Sequence, residues 1–125
     1  MLRIRNEQIT VLSQVVLRDF EERAITHLRK DLAPATEGVS DEELRKQVRE
    51  GFQQANCYGF RSERHVVSFV DASVLLGRGF VDAKENAWAR QILLDAQLSS
   101  EEKARWLLLT ASDIYFTRRA KGGKQ

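Results

Sequence analysis

Starting at Ile9, the apolar residues Ile9, Leu12, Val16, Phe20, Ala24 and Leu28 recur at intervals of three and four, a spacing that gathers them on one face of a helix. Asn6 is placed to cap that helix at its start. Its end is expected near Leu32, because Ala33 precedes Pro34 and the residue before a proline is pushed out of the helical region. Residues 34–39 read as a loop. Ser40, Asp41, Glu42 and Glu43 then form a capping-box sequence, and Leu44, Val48, Phe52 and Ala55 follow on one stripe, so a second helix is predicted over 41–57. Gly51 lies inside it at a cost of about 1 kcal/mol against alanine, which fits either the close approach of a neighbouring helix or a glycine that is simply tolerated.

Tyr58 and Gly59 close the second helix, and Ser62 with Glu63 opens a third: the hydroxyl accepts from a first-turn amide and the carboxylate complements the helix dipole. Val66, Phe69, Val70, Ser73 and Leu76 mark its inner side, Gly77 its stop, and Gly79 a second flexible point. Residues 80–84 read as a connector. A fourth helix over about 88–95 presents Trp88, Ile92 and Leu93, and Ser99 with Glu102 forms a second capping box for the last helix. Trp106, Leu107, Leu109, Ala111, Ile114 and Tyr115 cover more than one side of that helix, so it is predicted to be central in the bundle or else covered by a partner. No segment shows the alternation of a strand. The fold class expected is all-α: a compact bundle of about five helices, forming one domain over 1–117 with a basic flexible tail at 118–125.

Composition fits that picture. The chain has 125 residues, 42% hydrophobic and 30% charged, enough for a single core without a metal or disulfide staple. Cys57 is the only cysteine, which excludes an intramolecular disulfide and suits a reducing compartment. The start of the chain turns polar after two apolar residues and lacks a secretory pattern, and no apolar run approaches the ~20 residues that cross a bilayer. A cytoplasmic location with no membrane contact is expected. Of the formal charge of +2, Arg118, Arg119, Lys121 and Lys124 account for four positive charges, leaving the rest of the chain at about −2.

The chemistry offers little. His27 and His65 stand at no recognised ligand spacing and read as surface or capping residues, so neither a metal nor any other cofactor is expected. Cys57 reads as buried and inert, since a catalytic thiol needs an electropositive, accessible setting and an oriented base. Leu76, Gly77, Arg78, Gly79 and Phe80 follow a helix and have no lysine and hydroxyl pair behind them, which is a helix stop and not a phosphate loop. Arg61, Arg64 and Arg78 with the basic tail raise a nucleic-acid reading. Against it, the helix after Ser62 carries Val66, Val67, Phe69 and Val70, too apolar to meet base edges. No catalytic group emerges, and the chain is expected not to be an enzyme.

The ordered set Tyr58, Gly59, Phe60, Arg61, Ser62, Glu63 and Arg64, then Phe69, Val70 and Asp71, then Gly77 to Phe80, then Trp88 to Leu93 resembles small bacterial proteins encoded beside type VI secretion spike and effector genes. Ile4 to Ile9, Phe20 to Arg23, and Leu28 with Arg29 are similar as well. The chain departs from that pattern after Phe80, where Val81, Asp82, Ala83, Lys84, Glu85 and Asn86 replace an aspartate-rich stretch. The resemblance implies a non-enzymatic accessory factor, an adaptor or co-chaperone, with a secretion effector, spike protein or effector chaperone as its protein partner. An adaptor needs exposed aromatic area with a polar rim. The partner-binding residues expected are Phe60, Phe80 and Trp88, with Arg61, Arg64 and Arg78 around them; Tyr115 is a further aromatic candidate. An immunity protein that blocks a cognate toxin and a nucleic-acid-binding module are the alternatives, and a homodimer through the last helix is a further expectation.

Overall fold

The computed structural model describes the backbone of residues 6–122 and the side chains of residues 18–120. Helices form the domain: α1 (Asn6–Asp31), α2 (Ala33–Thr36), α3 (Asp41–Cys57), α4 (Glu63–Leu76), α5 (Ala87–Leu93) and α6 (Ser100–Gly122), with 3-10 turns at Phe80–Asp82 and Lys84–Asn86 between α4 and α5. There is no strand among the described residues. The expected cap Asn6 and the inward positions Ile9, Leu12 and Val16 lie outside the described side chains.

Local chemistry sets the helix starts. Ser40 Oγ accepts from the Glu43 amide at 3.1 Å and Ser62 Oγ from the His65 amide at 3.2 Å. At α6 the box is complete: Ser99 Oγ accepts from the Glu102 amide at 3.1 Å, and the Glu102 carboxylate accepts from the Ser99 amide at 2.9 Å. The first box is only half made, because the Glu43 carboxylate turns away to Arg78 at 3.1 Å. Gly77, at φ 106°, ends α4 in a conformation that a side chain would strain, and its amide donates to the Ser73 carbonyl at 2.8 Å.

The segment 34–39 is not wholly a loop. Pro34 sits in the first turn of α2, where its missing N–H is not needed, and the buried Thr36 hydroxyl donates back to the Leu32 and Ala33 carbonyls at 3.2 and 3.3 Å. Arg29 holds this corner to the end of α1, donating to the Thr36 carbonyl at 2.8 Å, the Val39 carbonyl at 2.5 Å and the Asp41 carboxylate at 2.7 Å. Residues 118–122 of the expected tail belong to the end of α6; residues 123–125 lie outside the described part.

The central helix is α4, not α6. Val66, Phe69, Val70, Asp71, Ala72, Ser73 and Leu75 are buried on several sides of it, and it packs on both α3 and α6. Phe69 lies at the centre of an aromatic group, with ring centroids 6.0 Å from Tyr58, 6.3 Å from Phe60 and 5.5 Å from Phe80. Among the described side chains of α6, Ala104, Leu107 and Ala111 are buried, whereas Trp106, Leu109 and Phe116 are 52%, 56% and 53% exposed. With α4 occupying the middle, one face of α6 is enough to complete the core. In α5 the buried residues are Ala89 and Leu93; Trp88 and Ile92 are half-buried.

Of the two readings of Gly51, the structure has the close approach. A Cβ there would stand 2.9 Å from Val70 Cγ2 and 3.5 Å from Val70 Cα, so α3 and α4 meet backbone to side chain. Gly51→Ala is expected to destabilise the fold by about 1–2 kcal/mol despite alanine's better helix propensity, because Val70 or a helix axis must shift. In chemical denaturation, Val70→Ala should recover part of that loss when combined with Gly51→Ala. Strict additivity of the two changes would show that the contact does not limit the packing.

Candidate functional site

Between α1 and α4 the surface opens into a groove of about 540 Å³, lined by Phe20, Arg23, Ala24 and His27 of α1 and by Glu63, Arg64, Val67 and Ser68 of α4. Its floor is apolar. Phe20 and Ala24 are buried, and Val67 packs partly buried against the same core. The rim is ionic: Arg23 Nε donates to Glu63 Oε2 at 3.2 Å, and its Nη groups reach Glu63 Oε1 and Asp19. Arg64 is exposed, with Nη2 3.4 Å from the Glu101 carboxylate of α6. α1 can supply this wall because the stripe that places Phe20, Ala24 and Leu28 inward sets Arg23 and His27 at its edge.

His27 bridges the two helices at the groove. Its Nε2 lies 2.9 Å from each oxygen of Asp71, a buried carboxylate of α4, and its Nδ1 lies 2.8 Å from Asp31. Partial burial works against the charged ring, but hydrogen bonds and charge from Asp71, and then from Asp31, outweigh it and raise the His27 pKa above its ordinary value. Burial pushes the Asp71 carboxyl up as well, while His27 draws it down. When protonated, the ring can donate to a carboxylate from each nitrogen and then has no lone pair to act as a base. The two carboxylates lie on opposite sides of the ring, and among the described residues no group of three or more His, Cys, Asp or Glu could hold a metal ion. His27 is therefore a polar tie between helices, where spacing alone suggested a surface or capping residue.

A second tie joins α1 to α3. Glu21, 2% exposed, accepts from Arg49 Nε at 2.8 Å and Nη2 at 3.3 Å, with Arg45 at 3.6 Å. Burying that carboxylate is tolerable only because guanidinium groups meet it.

The six expected partner-binding residues do not form one surface. Phe60 is fully buried and Phe80 is 2% exposed; both pack on Phe69 and belong to the core, since aromatics beside turns seal its end. Trp88 is half-buried with Nε1 turned inward and unbonded, and the neighbouring Asn86 donates to the Phe80 carbonyl at 2.9 Å. Arg61 donates to the Asn56 carbonyl at 3.0 Å. Arg78 bonds Glu50 through Nε at 2.8 Å and Glu43 at 3.1 Å, clamping the end of α4 to α3. Of the six, Arg64 alone lines the groove. Tyr115 is half-buried, its ring 5.1 Å from that of the exposed Phe116.

Two further expectations are corrected. Cys57 is exposed, because it falls off the Leu44, Val48, Gly51 and Ala55 stripe that faces the core. His65 is half-buried, its ring 6.3 Å from that of Phe60 and its Nε2 buried without a partner. The groove residues Phe20, Arg23, His27, Glu63 and Val67 escaped the sequence reading as a set, since the pairs that define it are 40 and 44 positions apart. The one available signal was Asp71, an acidic residue on the inward side of an apolar helix, which demands a buried partner.

Compared with known proteins, the chain matches no family model, no curated protein and no solved structure.

The tie gives stability a pH dependence. The folded state holds the His27 proton more tightly than the unfolded chain, so this contribution is complete below about pH 6.5 and is lost as pH rises through the higher folded pKa. Asp71, raised above 3.8, acts in the same direction in the acid range. Melting temperature measured across pH should fall through that window in the wild type and fall less steeply in His27→Gln. Parallel profiles for the two proteins would show that His27 does not carry the effect.

Proposed function

We propose that the protein is a non-enzymatic protein-binding accessory factor, an adaptor or co-chaperone for a type VI secretion effector or its chaperone, that grips its partner in the groove between α1 and α4. The groove carries this reading: the half-buried Val67 offers apolar contact above the buried Phe20 and Ala24, and Arg23, Glu63 and Arg64 rim it with charge. An apolar floor with a polar rim is the composition of a protein-binding surface. A volume of about 540 Å³ takes one or two apolar side chains of a partner segment, with the rim charges answering its backbone and flanking polar groups.

Both His27 nitrogens are taken up by carboxylates of the protein, Asp71 and Asp31, which supports a structural role for the ring beside a binding groove over a reaction there. Arg61, Arg64 and Arg78 are engaged with protein acceptors, so a phosphate backbone would have to displace those contacts, which disfavours nucleic acid. No helix among the described residues is long and apolar enough to cross a membrane. The partner class rests on the resemblance of the segment around Tyr58 to Arg64, whose own matched positions are mostly caps, turns and core.

Affinity purification of the tagged protein from its native cells, with mass spectrometry, tests the reading. A secretion effector or its chaperone should be recovered with the wild type and at least tenfold less with Val67→Glu and Arg64→Glu, both folded by circular dichroism. Equal recovery with the variants would remove the groove from consideration, and recovery of ribosomes and nucleic acid alone would overturn the adaptor role.

A further inference from the structure

Along α6 the exposed apolar residues Trp106, Leu109 and Phe116 stand three and seven positions apart. Glu102, Asp113 and Ala120, also exposed, extend them into one row whose steps alternate between four and three. That is the spacing of a coiled-coil seam. The row lies on the side of α6 away from Ala104, Leu107 and Ala111, which face the core. From Trp106 to Phe116 it runs about 15 Å along the helix.

The row is complementary to itself when reversed. A two-fold axis at the level of position 111 sets Trp106 against Phe116 of a second copy, Leu109 against Asp113, and Glu102 against Ala120, so every member meets another member. Parallel pairing would instead set Glu102 on Glu102 and Asp113 on Asp113, placing two carboxylate pairs in a partly desolvated seam. The reversed arrangement removes both repulsions. It also opposes the acidic first turn, Glu101 and Glu102, to the Arg118 and Arg119 end of the copy, and opposes the helix dipoles. Arg105 would then approach Arg119 of the copy, and Glu101, bonded to Arg105 at 3.2 Å, supplies the counter-charge on that flank.

We propose that this face of α6 is a homodimer interface in which two chains pair antiparallel, Trp106 of each packing on Phe116 of the other. The inference goes beyond the groove reading and is independent of it. Asp113 facing Leu109 of the copy makes the dimer reversible, since a carboxylate in an apolar seam opposes association.

Sedimentation equilibrium of the full chain over a range of concentrations tests the interface. The expected mass rises toward twice the 14.4 kDa of one chain. Trp106→Glu should weaken association at least tenfold and Asp113→Leu should tighten it about tenfold, each with unchanged circular dichroism. Direction is read by disulfide trapping in a Cys57→Ser background. Glu102→Cys and Ala120→Cys chains should cross-link when mixed and not when alone. A wild type that stays monomeric, a folded Trp106→Glu variant that still dimerises, an assembly larger than two, or cross-linking of either cysteine variant with itself would overturn the proposal.

Discussion

The contact between α3 and α4 at Gly51 and Val70 governs the rest of the structure. Without a side chain at position 51, α4 comes close enough to bury several of its faces at once. An apolar helix surrounded in this way removes enough surface from water to serve as the core of a small domain. The other elements take their places around it. α6 closes one side through three small or medium side chains, Ala104, Leu107 and Ala111, and the turns after Gly79 fold Phe80 onto Phe69.

α1 is attached differently. Phe20, Ala24 and Leu28 bury apolar area, but the specific links to α3 and α4 are charged: Glu21 to Arg49, Arg23 to Glu63, and His27 to Asp71. Burying Glu21 and Asp71 makes other seatings of α1 costly, because either carboxylate would lose its partner away from water. The groove results from this attachment, since charged side chains span the space between α1 and α4 where apolar ones would have drawn the helices together.

What the sequence disclosed follows the range of each interaction. The Ser40, Ser62 and Ser99 caps and the Gly77 stop are settled within four residues of chain, and all three serine caps and the stop are found where the local pattern puts them. The span of α3 was equally legible, whereas Gly51 fitted a close approach and a tolerated glycine alike, because its neighbour Val70 lies on another helix. The identity of the central helix was not, because apolar residues around α6 and around α4 look alike until packing decides which is enclosed. Phe60 and Phe80 show the same limit: an aromatic beside a glycine turn can point inward or outward, and only the position of Phe69 decides. The groove depends on pairs 40 and 44 residues apart, beyond the reach of any local rule.

The two bridges across the groove differ in exposure, and ionic strength separates them. Arg23 and Glu63 keep about half of their side chains in water, so dissolved ions screen their attraction. Asp71 is sheltered, its side chain 8% exposed, and its bond to His27 is much less affected. Concentrated salt therefore loosens the rim while the deeper tie persists, so that the Arg23 and Glu63 side chains part and open the mouth of the groove while α1 keeps its seat on Phe20, Glu21 and His27.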